Sequence, residues 1–265
     1  MYDFHMHSNF SFDSKASMAS MVEQGIKKGL KGLCFTDHIE FAPALPFEPW
    51  IFDVTRYQEE IARLAQKYGK QISIKMGAEI GYHPDYVDEA NAFIKSAPFD
   101  FILSSLHDIN DQDFHTKVFT RNKTSEEAFE QYFKAYYECA KSSVEFNCLS
   151  HFDFLKRYVS IYNGAQIFKD NFDIIKATFE TLIKKGKGIE VNTSGFRYGL
   201  GHTLPTKDFL TLYKALGGEI ITTGSDSHAP EYVAAEFDQT YALLRDVGFN
   251  YVTRFEKMKP HFIKL

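Results

Sequence analysis

The feature that most constrains the fold is a repeated alternation of short apolar stretches with amphipathic helical segments. Seven such stretches occur in the 265 residues, at 2–4, 32–36, 72–77, 99–104, 148–150, 188–191 and 219–223. Strands that alternate with helices form parallel β-α-β units, so this order predicts an α/β fold with a parallel barrel or a doubly wound sheet. No linker or internal repeat interrupts the pattern, and residues 1–265 are expected to form a single domain.

Residues that commonly bind metals lie at, or just after, the ends of these stretches. The candidates are His5, His7, Asp13, His38, Glu79, His107, His151, Asp226 and His228. His5 and His7 can aim at one point, because residues two apart in an extended strand face the same side. Glu79 is expected just beyond the third strand. Since the carboxyl ends of parallel barrel strands open on one face, these scattered side chains are predicted to converge there.

The size of this set predicts more than one metal ion. A zinc-like ion takes three or four protein ligands and leaves a position for water, so nine ligands fit two or three ions. Glu79 is the natural bridge between ions, because a carboxylate has two oxygens. The six histidines favour Zn, Mn or Fe over Mg or Ca, which prefer oxygen ligands. The sequence leaves the choice among Zn, Mn and Fe open.

Clustered divalent ions suit the hydrolysis of phosphate esters. Two ions about 3.5–4 Å apart activate a bridging water and stabilise the attacking and leaving oxygens. Arg157 and Arg197 each follow a strand that ends at the proposed face, and a guanidinium matches phosphate in a bidentate way. A surface salt bridge is the alternative role for each arginine. His202, in a glycine-containing loop on the same face, is a candidate for substrate contact.

Composition argues against several other classes of protein. The net charge of −5 gives no global basic surface for nucleic acid. The sequence contains neither an apolar run near the roughly 18 residues of a membrane span nor a signal-peptide pattern. Cys34, Cys139 and Cys148 are odd in number and far apart, which indicates free thiols in a reducing compartment. A cytoplasmic protein with a small-molecule partner, no nucleic-acid or membrane partner and an undetermined oligomeric state is expected.

The ordered motifs resemble those of the polymerase and histidinol phosphatase (PHP) superfamily. They are Asp3-Phe4-His5-Met6-His7 with Asp13, Thr36-Asp37-His38, Glu79, Ser105-Leu106-His107, His151 and Gly224-Ser225-Asp226-Ser227-His228. The segments 151–158 and 190–197 look most like the monofunctional histidinol-phosphatases of that superfamily. The resemblance covers nearly the whole chain. It implies a distorted (β/α)7 barrel with its active site at the carboxyl-terminal face of the strands.

The resemblance also implies an activity and a metal centre. The activity is hydrolysis of L-histidinol phosphate to L-histidinol and phosphate, in histidine biosynthesis, by attack of a metal-bridging hydroxide. The implied ligand sets are His5, His7, Glu79 and Asp226 for one ion, Glu79, His107 and His151 for a second, and Asp13, His38 and His228 for a third. Many relatives have a histidine in place of Asp13. An anionic ligand there would weaken the third site for Zn and favour Mn or Fe.

The remaining roles are hypotheses built on that resemblance. Arg157 and Arg197 would clamp the phosphate. A metal-bound water, Asp13 or His228 would protonate the leaving alkoxide. Glu40 would meet the substrate ammonium, while Phe41 or Trp50 would stack on its imidazole. The alternatives are a PHP phosphoesterase for another monoester or a nucleotide, an amidohydrolase, which normally has a lysine at the bridging position, and a metal-binding module without activity.

Overall fold

Short parallel strands form the centre of the molecule. The computed structural model describes residues 1–42, 44, 47–159 and 163–265. Its strands are β1 (Tyr2–Asp3), β2 (Gly32–Phe35), β3 (His38–Ile39), β4 (Ser73–Gly81), β5 (Phe101–Ser105), β6 (Asp108–Ile109), β7 (Gln112–Asp113), β8 (Cys148–Leu149), β9 (Gly188–Asn192), β10 (Ile221–Gly224), β11 (Tyr251–Glu256) and β12 (Lys259–Lys264). The order β1-β2-β4-β5-β8-β9-β10 runs parallel throughout.

The first and last strands of that order meet and nearly close the sheet into a barrel. The Phe4 amide donates to the Thr223 carbonyl, and the Asp226 amide donates to the His5 carbonyl, each at 2.8 Å. Each of the seven apolar stretches of the sequence contains or overlaps one of these seven strands. The predicted α/β class and the seven-stranded parallel barrel are therefore confirmed.

Helices cover the outside of the barrel. They are α1 (Met18–Lys27), α2 (Val54–Tyr68), α3 (Val87–Lys95), α4 (Ser125–Lys141), α5 (Gly164–Asp170), α6 (Phe172–Lys184), α7 (Ser194–Arg197), α8 (Lys207–Ala215) and α9 (Phe237–Val247). Each long helix has an apolar stripe that packs on the barrel, as in α4, which opens with a capping box of Thr124 and Glu127. No helix in the described part of the chain is long and apolar enough to cross a membrane.

Three local features differ from the sequence predictions. Glu79 lies inside β4 instead of beyond it, because that strand continues to Gly81 and pairs with β3 as well as β5. The segment after His107, for which no strand was predicted, contains the hairpin β6–β7. The segment after α9, for which no strand was predicted, forms the hairpin β11–β12, whose Phe255 ring stacks on Phe101 with the ring centroids 5.0 Å apart.

Aromatic packing gives the active face a rigid support. The buried Phe152 ring contacts the rings of Tyr136 and Phe179, with both centroids 4.9 Å away. Phe152 directly follows His151, so this packing holds the backbone of a candidate ligand. A short 3-10 helix, Phe154–Arg157, follows shortly after Phe152 and places Arg157 at the carboxyl-terminal face of the barrel.

Candidate metal centre

The Glu79 carboxylate lies at the centre of the candidate ligands. Its Oε2 atom is 3.3 Å from His5 Nε2, 3.5 Å from His7 Nε2 and 3.1 Å from His38 Nδ1. Its Oε1 atom is 3.6 Å from His107 Nε2 and 3.1 Å from His151 Nε2. The two oxygens thus face two different groups of histidines, which is the arrangement that a bridging carboxylate requires.

Three groups of side chains bring their ligand atoms within 4.8 Å of one another. The groups are His5, His7 and Glu79; His38, Glu79 and His107; and His7, Asp13, His38 and His228. Asp226 borders the first and third groups, since its Oδ1 atom is 3.4 Å from His7 Nε2 and 3.6 Å from His228 Nδ1. All nine predicted ligands therefore lie in one continuous cluster. Their assignment to particular ions stays a prediction.

The spacing of the donor atoms is compatible with a shared metal ion. Two nitrogens bound to one tetrahedral Zn are about 3.3 Å apart, and the His5 and His7 Nε2 atoms are 3.0 Å apart. The buried His38 Nδ1 atom has no hydrogen-bond partner among the described residues, although Glu79 Oε2 is 3.1 Å away. The two atoms are close without being aligned on each other, which is expected when both point at a shared cation.

Electrostatics within the cluster favour a bound cation. Burial raises the pKa of Glu79, but the charges of His5, His38 and His107 outweigh it and hold the pKa well below its usual range. Burial lowers the pKa of His107, but the Glu40 carboxylate and Glu79 raise it to about 10. Burial and the neighbouring His228 and His38 lower the pKa of His7 to about 3. Without a metal, ionised carboxylates would thus retain protons on some of the histidines.

Metal binding at neutral pH is expected to release protons. His5 and His38 have pKa values raised well above normal despite burial, because carboxylates surround them, and His107 has a pKa of about 10. Neutral pH lies below the pKa of His107, so a metal must displace at least that proton, and its affinity should rise with pH. Calorimetric titration of the metal-free protein with Zn²⁺ or Mn²⁺ in buffers of different ionisation enthalpy measures the release. Heats that are independent of the buffer would contradict this prediction.

A second layer of buried groups orients the ligands, and sequence reasoning missed most of it. Glu190 Oε1 lies 2.6 Å from His5 Nδ1, and Glu190 Oε2 accepts from the His151 amide at 2.9 Å. Ser11 Oγ lies 3.2 Å from His7 Nδ1 and donates to Asp37 at 2.7 Å. Partners of this kind set the tautomer of a ligating imidazole. In both histidines they leave Nε2 for the metal.

The role of Glu190 also explains a glycine. Glu190 is the one charged residue of β9, and its side chain is 1% exposed. A buried carboxylate needs a hydrogen-bond or charge partner in the protein interior, so its position in the strand already indicates one. A Cβ on Gly224, the last residue of β10, would overlap with the Glu190 carboxylate and with the His5 side chain. Glycine at this position lets the carboxylate and the imidazole meet.

Replacing Glu190 by glutamine is expected to weaken metal binding about 10- to 100-fold, the usual cost of losing the carboxylate that orients a ligating histidine. The fold should persist, because glutamine has nearly the same volume and can still accept from the His151 amide. Competition with a metal chelator, followed by elemental analysis, gives the affinity. The exposed Glu180→Gln exchange is the matched control. Equal affinities in both variants would argue against this role.

The cluster of candidate ligands opens into a cavity of about 730 Å³. Ten residues that the sequence analysis singled out line this cavity: Asp13, His38, Glu40, Trp50, Glu79, His107, His151, Arg157, Asp226 and His228. The half-buried Arg157 makes no hydrogen bond or ion pair with its guanidinium within the described ranges, so its N–H groups are available to a ligand. Glu40 Oε1 instead lies 2.6 Å from His107 Nδ1, and Glu40 therefore orients a candidate ligand besides facing the cavity.

Arg197, His202 and Phe41 are not among the described residues that line the cavity. The Arg197 guanidinium donates to the carbonyls of Ser225 at 3.1 Å and Asp226 at 2.7 Å. His202 Nδ1 lies 2.9 Å from the Thr203 carbonyl. The structure thus gives Arg197 a part in holding the Asp226 segment, and its contact with phosphate stays a prediction, as does substrate contact by His202.

Comparisons with known proteins agree with this geometry. The PHP domain family matches residues 3–194. The chain is 32% identical to the histidinol-phosphatase of Lactococcus lactis over 97% of this chain and 95% of that relative. It is 27% identical to a probable histidinol-phosphatase of Clostridium acetobutylicum over 97% of each chain.

Solved structures extend the comparison to the fold. The crystal structure of histidinol phosphate phosphatase from Lactococcus lactis, complexed with Zn, L-histidinol and phosphate, superposes with a TM-score of 0.87 at 31% identity, covering 98% of both chains. The crystal structure of a protein described as the putative histidinol phosphatase of Listeria monocytogenes superposes with a TM-score of 0.81 at 18% identity, over 90% of this chain and 99% of that one. The second match supports the fold alone.

Proposed function

The chain belongs to the PHP domain family, and from that premise we propose that it is a histidinol-phosphatase that hydrolyses L-histidinol phosphate to L-histidinol and inorganic phosphate. One observation carries the proposal: the Glu79 carboxylate is shared among five histidines at one end of a cavity. The Arg157 guanidinium, which has no hydrogen bond or ion pair among the described residues, lines the same cavity. The first feature suits a cluster of divalent metals, and the second suits a phosphate group.

The cluster would hold two or three divalent ions, Zn, Mn or Fe. Glu79, His7 and His38 each belong to two of the three groups. Together the groups offer imidazole nitrogens and carboxylate oxygens, and Zn, Mn and Fe accept both kinds of ligand. When bound, such ions activate water at neutral pH and neutralise charge on the phosphoryl group. Asp13 belongs to the most exposed group, and its carboxylate would add negative charge to a site otherwise built from histidines.

The chain's own residues would bind the ester and supply a proton. Arg157 would bind two phosphoryl oxygens with its N–H groups and keep the phosphorus at the metal cluster. Asp13 Oδ2 lies 2.9 Å from His228 Nε2, and both side chains line the cavity. If only the other two groups hold ions, a proton held between these two atoms can pass to the leaving alkoxide, which departs as L-histidinol. If this group also holds an ion, a water molecule would have to supply that proton.

One wall of the cavity suits an alcohol that carries positive charge. Asp108 and Asp113 face each other across the hairpin β6–β7, and Glu40 and Glu48 line the same cavity. Burial, and to a lesser extent the nearby Glu40 carboxylate, raises the pKa of Asp108 to about 6, so a negative charge at Asp108 is unfavourable without a cation. A cation beside this carboxylate would stabilise that charge. The ammonium and imidazole of L-histidinol phosphate supply such charge.

Replacing Asp108 or Asp113 by asparagine is expected to lower the preference for L-histidinol phosphate over phenyl phosphate about tenfold. The loss corresponds to about 1.4 kcal/mol of a hydrogen bond to a charged group. The ratio of kcat/KM for the two esters measures the preference. Asp111→Asn, at the exposed tip of the same hairpin, is the matched control. If the ratio of kcat/KM for the two esters is unchanged in both the Asp108→Asn and the Asp113→Asn variant, these carboxylates do not contribute to substrate selection.

The function itself is tested by phosphate release from L-histidinol phosphate and from a panel of monoesters and nucleotides, alongside elemental analysis of the protein. L-Histidinol phosphate should be the preferred ester, and a strong chelator should abolish turnover until metal is restored. Equal turnover of several unrelated esters would instead favour a phosphoesterase of different specificity. Activity that survives complete metal removal would overturn the mechanism.

A further inference from the structure

Aromatic rings hold the Arg157 guanidinium. Its Cζ atom lies 3.2 Å from the centroid of the Tyr198 ring, 4.7 Å from that of Phe154 and 5.5 Å from that of Tyr158. The Phe154 ring also stacks on the imidazole of His151, with the centroids 4.2 Å apart. A continuous stack thus links a candidate metal ligand to the candidate phosphate ligand.

Tyr198 holds its position through its backbone, while its ring stays accessible. It follows α7 directly, and its amide donates to the Ser194 carbonyl at 3.0 Å. The side chain is 49% exposed and lines the cavity. An exposed tyrosine is common on any surface, but a ring centroid 3.2 Å from a guanidinium that has no hydrogen bond to the described protein is a specific contact.

We propose that Tyr198 is a positioning residue that presents Arg157 to the phosphate. This proposal rests on the proposed function, because it concerns how the same site binds its ester. The five N–H groups of a guanidinium lie in its plane and point outwards from its edges. A ring over the face attracts the cation without using those groups. The stack therefore restricts a flexible side chain and leaves its edges free for bidentate contact with phosphoryl oxygens.

The two arginines are held in different ways, which makes the proposal specific. Arg197 is fixed by backbone carbonyls, and its Cζ atom lies 5.3 Å from the Tyr198 centroid and 4.9 Å from that of Tyr232. The Arg157 guanidinium has aromatic contacts and no hydrogen bond or ion pair among the described residues. Loss of a ring should therefore affect Arg157 strongly and Arg197 little.

The experiment compares Tyr198→Leu, Tyr198→Phe and Tyr232→Leu in the metal-loaded protein. Tyr198→Leu is expected to raise KM for the ester and the inhibition constant of inorganic phosphate about tenfold, within the range of a cation–π contact. Metal content and melting temperature should stay close to those of the unmodified protein, because the side chain is half exposed. Tyr198→Phe keeps the ring and should restore both constants to within about twofold. Tyr232→Leu should leave them unchanged.

A double-mutant cycle separates positioning from direct contact. If Tyr198 acts through Arg157, Tyr198→Leu should have little further effect on phosphate affinity in an Arg157→Ala background. A full tenfold loss in that background, or a Tyr198→Phe variant as weak as Tyr198→Leu, would overturn the proposal. Binding of inorganic phosphate does not depend on which ester is the substrate. Failure of histidinol phosphate as substrate would therefore leave this test intact.

Discussion

Replacing Glu79 by glutamine is expected to lower kcat/KM for the phosphate ester by at least about a thousandfold, equivalent to about 4 kcal/mol of lost metal-dependent stabilisation. The carboxylate is 1% exposed and approaches five histidines. A neutral amide in its place has one oxygen instead of two, so it cannot face both groups of histidines as an acceptor. Phosphate release measures the loss of activity, and elemental analysis should show fewer ions per chain.

The control for this variant is Glu60→Gln, which changes the same functional group on the outer surface, where Glu60 pairs with Arg63. That variant should retain metal and activity. A Glu79→Gln protein that keeps its full metal content and loses less than tenfold in kcat/KM would mean that the carboxylate does not bridge ions. Thermal melting distinguishes a failure to fold, because metal-free but folded protein should still unfold cooperatively.

Replacing Arg157 by alanine is expected to lower kcat/KM about 10²- to 10⁴-fold, the effect of losing two charge-assisted hydrogen bonds of about 1.5–3 kcal/mol each. The arginine lines the cavity and has no protein acceptor within the described ranges, so its donors are free for phosphate. Because the residue makes no salt bridge there, stability and metal content should change little. Steady-state kinetics and elemental analysis of the same preparation measure both.

Arg197→Ala provides the comparison. Its guanidinium supports the carbonyls of Ser225 and Asp226, so the variant should lose metal affinity or thermal stability together with activity. A loss of activity in Arg197→Ala with unchanged metal content and stability would instead support direct phosphate contact. Arg157→Ala with unchanged kcat/KM would show that phosphate binds without this arginine.

The barrel could be read from the sequence because its strands are short, apolar and separated by helical segments with recognisable ends. Polar residues at strand ends were equally visible, since a parallel barrel collects those ends on one face. The end of β4 was misplaced, because the run 78–81 continues the strand only through pairing with β3 and β5. The hairpin β6–β7 was missed because its strands are only two residues long, and β11–β12 was missed although β11 contains Tyr251, Val252 and Phe255.

The sequence by itself determined which ligand types the chain has, and at which strand ends they stand. Only the tertiary structure decided that the two Glu79 oxygens face different histidines, that Glu190 orients His5, and that Arg157 rather than Arg197 lines the cavity. The physical reason is that strand periodicity specifies the side on which a residue lies. Distances of a few ångströms between residues more than a hundred positions apart depend on barrel closure and on packing between strands.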